Sequence, residues 1–183
     1  MKLSVPVTFI FSFETLLCAD ITCKKYLPKK LSKRDREIQK KELLKSKKAY
    51  KKGKYITRKT LKSYKSKPSK HVVKAKKMYD IPNVLPSRSL ARKTGCSLAS
   101  LNKIVDKGEG AYYSSGSRPS QSARSWGLAR LASAITGGKS AAVDYHILEK
   151  GCKKTSKALK LAKKAKRKHG RGTRKVPKTK AYI

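Results

Sequence analysis

Residues 90–105 read LARKTGCSLASLNKIV, and the fold turns on how they are read. Ser87 precedes them as a helix cap, and the spacing predicts a short helix over 88–94. Gly95 supplies a left-handed turn, and Ser97 caps a second helix over 98–107 that ends before Gly108. Leu98, Leu101, Ile104 and Val105 give that second helix one apolar face. Ala91, Gly95, Leu101 and Ile104 stand at the spacing of a helix-turn-helix, with a small residue for close approach and glycine at the turn. In that geometry the second helix enters the major groove and its early polar residues face base edges. Those residues are Ser97, Ser100, Asn102 and Lys103; Asn pairs bidentately with adenine and Lys reaches guanine. The same spacing serves an αα-corner that only builds a core.

Outward from this pair, Ser32-Lys33-Arg34-Asp35 has capping-box spacing and starts a helix that Gly53 ends. Its apolar residues Ile38, Leu43, Leu44, Ala49 and Tyr50 form a patchy stripe, so the helix is expected to lie on the body rather than inside it. Residues 54–68 mix Tyr55, Ile56, Leu61 and Tyr64 with lysines and read as irregular. Ser69 is placed to cap a further helix that ends at Tyr79. The stretch KGEGAYYSSGSRPSQ reads as a Gly/Ser-rich loop. Arg118 and backbone amides around 114–117 could cradle a phosphate there, although the Lys-Ser/Thr step of a P-loop is missing. The bland alternative has its glycines let Tyr112 and Tyr113 tuck beside Trp126. Residues 121–136 form a core helix ended by Gly137-Gly138, and 142–148 read as a short strand or final turn. On a strand Asp144 and His146 would share a face, but no nucleophile motif accompanies them.

The charge is lopsided. The 183 residues hold 49 Lys and Arg against 10 Asp and Glu, a formal net charge of +39. Residues 24–78 contain 24 basic residues and three acids, 79–149 contain nine and five, and 153–183 contain 14 and none. The expected architecture is therefore mainly α: a small helical domain containing a helix-turn-helix-like pair, with long Lys-rich arms at both ends. Its parts are an apolar segment 1–28, a Lys-rich helical arm 29–78, a helical core domain 79–150 and a basic tail 151–183. Hydrophobic residues are 38% of the chain, below the roughly 45–50% of ordinary globular proteins, which argues against a large core. Each cation that neutralises a phosphate releases a counterion, so the arms point to a polyanion, nucleic acid first and an anionic membrane surface second. Lys163, Lys164, Lys166, Arg167, Lys168 and Arg171 of the tail, with Arg118, join the four helix residues as the nucleic-acid-binding set.

Cys18, Cys23, Cys96 and Cys152 include no C-x-x-C pair, and His71, His146 and His169 are scattered, so no metal and no cofactor are expected. Cys96 and Cys152 read as small buried hydrophobes, and nothing demands an oxidising compartment. The start, MKLSVPVTFIFSFETLLCAD, resembles a secretory signal, but Glu14, Pro6 and Leu17 are poor fits. Its apolar run falls short of the ~20 residues that span a bilayer. A buried strand, a membrane-touching segment and an extended start remain alternatives.

Lys93-Thr94-Gly95, GAYYSSGSRP at 110–119, SWGLARLASAITGGK at 125–139 and VDYHIL at 143–148 occur in an order that resembles an uncharacterised domain family of large nucleocytoplasmic DNA viruses and tailed phages. The upstream AYKKGKY and HVVKAKKMY look like its giant-virus branch. The resemblance covers roughly 29–150 and assigns no catalytic residues. It implies a virion component, found in the particle and in host cytoplasm or nucleus during infection. The leading expectation is thus a non-enzymatic structural protein, a minor capsid or core-associated component with capsid proteins among its partners and no small-molecule substrate. The rivals are a helix-turn-helix nucleoid or regulatory protein, and more remotely a DNA-processing enzyme using Asp144 and His146.

Overall fold

In the computed structural model, which describes residues 26–170, the 87–107 stretch folds as its local chemistry dictates. Helix α1 spans Lys33–Lys51, α2 Lys70–Tyr79, α3 Arg88–Thr94, α4 Leu98–Ser115, α5 Ala123–Ile135, α6 Lys139–Val143, α7 Tyr145–Gly151 and α8 Lys157–His169. The protein is mainly helical, with no strand among the described residues. Residues 1–25, and with them the signal-like segment, lie outside the described residues, as does Arg171.

Of the caps read from the sequence, Ser32, Ser87 and Ser97 bond as expected, with Ser32 Oγ accepting from the Asp35 N–H, and Ser122 and Ser156 add caps beyond that reading. Ser87 Oγ accepts from the Leu90 N–H, Ser97 Oγ from Ser100 and Ser156 Oγ from Leu159. Ser122 and Ser125 cap α5 reciprocally. Gly95 sits at φ +68°, a conformation that disfavours any side chain. Ser69 occupies the first cap position of α2 but makes no side-chain cap bond.

Helix α4 departs from expectation. It passes through Gly108 and runs to Ser115, so only 116–121 remain of the expected loop. The reason is tertiary. Gly108 is buried where α4 crosses α5, and a Cβ there would lie 2.6 Å from the Gly127 Cα. A Cβ at Gly127 would lie 2.8 Å from the Val105 carbonyl oxygen. These glycines let two helices touch backbone to backbone, which offsets the ~1 kcal/mol that glycine costs in a helix interior.

The core is larger than composition suggested. One buried cluster runs from Ala75 through Leu90, Leu101, Ile104, Leu131, Ile135 and Leu148 to Ala165. Alanines 132, 134, 141, 142, 158 and 162 fill its narrow places, so closely spaced helices need few large side chains. Helix α8 lays Ala158, Leu159, Ala162 and Ala165 into that cluster and packs on α6 and α7, although the sequence reading places it in the basic tail. Residues 142–148 are not a strand: α6 and α7 meet at Asp144.

Cys96 and Cys152 are buried, as expected, but they form a disulfide rather than standing as separate hydrophobes. The cause is a backbone pairing that no local pattern announces. The Ser97 N–H donates to the Gly151 carbonyl at 2.7 Å and the Lys153 N–H to the Gly95 carbonyl at 2.8 Å, which sets residues 96 and 152 face to face.

Helix α1 lies on α4, as anticipated, but Leu43 is the one residue of its apolar stripe that is fully buried. Its buried residues are Asp35, Gln39, Leu43 and Ser46, while Leu44 is 51% exposed. The Asp35 carboxylate accepts from the Ser63 hydroxyl at 2.6 Å and its N–H at 2.8 Å. Gln39 Nε2 donates to the Tyr26 carbonyl and Ser46 Oγ to the Tyr113 carbonyl. The Asp35 and Gln39 bonds tie α1 to neighbouring parts of the N-terminal half, and the Ser46–Tyr113 bond fastens it to the body. Residues 54–68 contain no helix or strand, in line with the sequence reading.

Candidate nucleic-acid interface

The expected reading helix begins with two of its polar side chains already hydrogen-bonded. Ser97 and Ser100 spend their hydroxyls on the α4 cap, with Ser97 Oγ donating to Ser100 Oγ at 2.9 Å. Gly151 lies so close to Ser100 that a Cβ there would overlap its hydroxyl. The 151–153 link, tied by the disulfide, thus flanks the first turn of α4. Asn102 and Lys103, one turn later, are exposed.

Asp144 and His146 do not form a pair. The Asp144 carboxylate is fully buried and accepts from Arg130 Nε at 2.7 Å, Arg130 Nη2 at 2.8 Å and Lys107 Nζ at 2.9 Å. It locks α4, α5 and the α6–α7 joint together. His146 points to solvent, and partial burial followed by the Lys107 charge holds its imidazole below the usual value. On a strand the two would have shared a face. At the start of a helix one turns in and the other out.

The expected phosphate cradle does not form as a loop, because most of it continues helix α4 and an arginine binds the carbonyl at that helix's end. Ser114 and Ser115 belong to the last turn of α4, and Ser117 is buried. Arg58, from the irregular stretch to which the sequence assigned no role, donates from Nη1 to the Gly116 carbonyl at the end of α4. Its guanidinium lies 4.1 Å from the Tyr112 ring centroid. Tyr112 packs near Trp126 at 6.4 Å, as expected, whereas Tyr113 meets Tyr55 at 5.0 Å.

The cations of α8 fan outward. Lys163, Lys164, Lys166, Arg167 and Lys168 are all exposed, opposite the alanine face, and Lys166 Nζ sits 4.1 Å from the Tyr145 ring centroid. They are far in sequence from Arg118, which occupies a different kind of place.

Arg118 lies where two grooves meet. One, of about 840 Å³, is walled by Lys30, Lys62, Lys65, Lys67 and Lys70, with Tyr64 among them. The other, of about 860 Å³, runs between α2 and α5 and carries Lys76, Arg130 and Lys139. They share residues 66–69, His71, Arg118 and Gln121. No Asp or Glu lines either one. The second groove has an apolar floor of Val84, Leu85, Trp126, Leu128 and Ala129, with Leu85 42% exposed. Of the residues lining this trough, Arg118 belongs to the nucleic-acid-binding set read from the sequence. Its lysines come from position 30, from 62–76 and from 139, and only folding brings those segments together around Arg118 and Trp126.

Among the described residues no three of His, Cys, Asp and Glu converge as a metal site would require. No helix among them is long and apolar enough to cross a membrane. No curated protein and no solved structure matches the chain. One family model does, over residues 23–147, a span that includes the KTG, GAYYSSGSRP and SWGLARL motifs. With most of its length matched, the chain belongs to the family described as "Family of unknown function (DUF5824)".

Proposed function

We propose that the protein is a non-enzymatic, polyanion-binding structural component of a large DNA virus particle, a minor capsid or core-associated protein linking the shell to genome or inner membrane. The observation that carries the binding part is the acid-free trough around Arg118, set in a chain of net charge +39. The outward cations of α8 add a second basic surface. Arg130 is held by Asp144 and Lys62 lies near Asp35, but the remaining cations of the trough form no ion pair among the described residues, so a phosphate meets them without breaking one. The virion part rests on the resemblance of residues 29–150 to the viral family.

The non-enzymatic part is supported by Asp144, whose carboxylate is spent on Arg130 and Lys107. DNA cleavage that Asp144→Ala or His146→Ala abolishes would overturn it. A second reading, a helix-turn-helix nucleoid or regulatory protein, is favoured by the exposed Asn102 and Lys103 and opposed by the spent hydroxyls of Ser97 and Ser100.

Binding to random duplex DNA across salt concentrations separates the two. For six to ten phosphate contacts the structural reading expects affinity to fall roughly 10³–10⁵-fold between 50 and 200 mM salt. Asn102→Ala and Lys103→Ala should leave nearly all of that intact. A sharp loss confined to one preferred sequence would favour the regulator instead. Immunolabelling of purified particles tests the virion assignment: signal in shell or core supports it, and absence from particles overturns it.

A further inference from the structure

We infer that the trough around Arg118 is a single-stranded nucleic-acid site in which bases stack on Trp126 while the phosphates follow the lysine walls. This rests on the polyanion-binding reading and narrows it to one ligand class at one place.

The groove between α2 and α5 combines two features that a simple charged surface lacks. Its floor is apolar and partly aromatic, with Trp126 half-buried and Leu85 and Leu128 beside it. Its rim is cationic, with Lys67, Lys76, Arg118 and Lys139 and no acid. A single strand presents the same pair of surfaces, flat apolar base faces and a regularly charged backbone, and binds proteins by stacking along a basic groove. Tyr64 offers a second ring in the adjoining groove, beyond the 66–69 strap. Duplex DNA keeps its bases stacked inside and shows only phosphates to a concave wall, so it would meet the lysines without reaching Trp126. A planar membrane surface cannot enter the trough. An acidic peptide would satisfy the rim but leave the aromatic floor without a planar partner.

Trp126 is the sole tryptophan of the chain, so its fluorescence reports this groove and nothing else. The experiment titrates the full-length protein with oligothymidylate of about 12 nucleotides. Parallel titrations use a duplex of equal phosphate count, polyphosphate and polyglutamate, with binding read separately by anisotropy of labelled DNA. The expected result is strong quenching by the single strand and little by the other three. Lys67→Ala combined with Arg118→Ala, both at exposed positions, should weaken single-strand binding and its quenching together. Trp126→Ala should weaken it roughly five- to a hundredfold. Circular dichroism that matches the parent would separate that loss from misfolding.

Oligothymidylate that binds without touching Trp126 fluorescence overturns the trough while leaving polyanion binding standing. Equal quenching by polyglutamate overturns it in favour of an acidic protein segment. No binding of any nucleic acid defeats both the site and the proposed function.

Discussion

Removing the Asp144 carboxylate should unfold this protein more readily than any change to its surface charges. Its side chain has no exposed area, the Arg130 side chain is 18% exposed and the Lys107 side chain 41%. Asp144→Ala leaves the Arg130 guanidinium largely out of water with no anion, and orphaning one member of a buried pair costs about 3–5 kcal/mol. Lys107→Ala removes a partner that water already reaches and should cost about 0–1 kcal/mol. The natural assay is urea denaturation at neutral pH, since guanidinium would screen the charges. The Asp144→Ala midpoint should fall at constant slope. Adding Arg130→Ala to that variant should recover part of the loss, because it removes the orphaned charge, with a coupling of about 0.5–3 kcal/mol. Raising salt should leave the effect largely unchanged, because burial shields the pair from mobile ions. A loss below about 0.5 kcal/mol for Asp144→Ala would refute the reasoning, for then the carboxylate is not what joins α4, α5 and the α6–α7 joint.

Three further outcomes follow from the packing. Reduction of Cys96–Cys152, or Cys96→Ser with Cys152→Ser, reopens a link between residues 56 apart and should cost about 4 kcal/mol, read as a lower melting temperature; equal melting of oxidised and reduced protein would remove the disulfide from the account. Gly108→Ala or Gly127→Ala, which in an open helix would gain up to about 1 kcal/mol, should instead destabilise by about 1–3 kcal/mol because the added methyl meets backbone atoms 2.6–2.8 Å away, and a rise in denaturation midpoint would contradict the close α4–α5 crossing. Burial pushes the Tyr79 hydroxyl, which donates to the Ile135 carbonyl at 2.7 Å, up to about 12. Because that lies above its ordinary value of 10.0, its contribution is full below pH 10 and is lost as pH rises through about 12. Tyr79→Phe should flatten this alkaline decline and cost about 1 kcal/mol at neutral pH, and an unaltered stability profile would exclude the bond.

What sequence alone determined is local. Ser87, Gly95 and Ser97 act within three or four residues of themselves, so the α3–turn–α4 pair was legible in the order of residues, as were α1, α2 and the Trp126 helix. The total charge was equally plain, because it needs no geometry. What sequence could not show depends on partners distant along the chain. Gly108 looks like a helix stop until Gly127, on another helix, is seen against it. Asp144 and His146 look paired on a strand until Arg130 and Lys107 claim the carboxylate. Cys96 and Cys152 look like two separate small hydrophobes until the Gly95–Lys153 and Ser97–Gly151 hydrogen bonds bring them together. Helix α8 looks like part of a basic tail until its alanines reach the core. The trough was the least legible of all, since each of its lysines is ordinary in a chain with 49 basic residues. Only the tertiary structure sorts those cations into the ones that fan outward and the few that line a groove beside Trp126. Charge is a sum over the sequence, but a site is an arrangement in space.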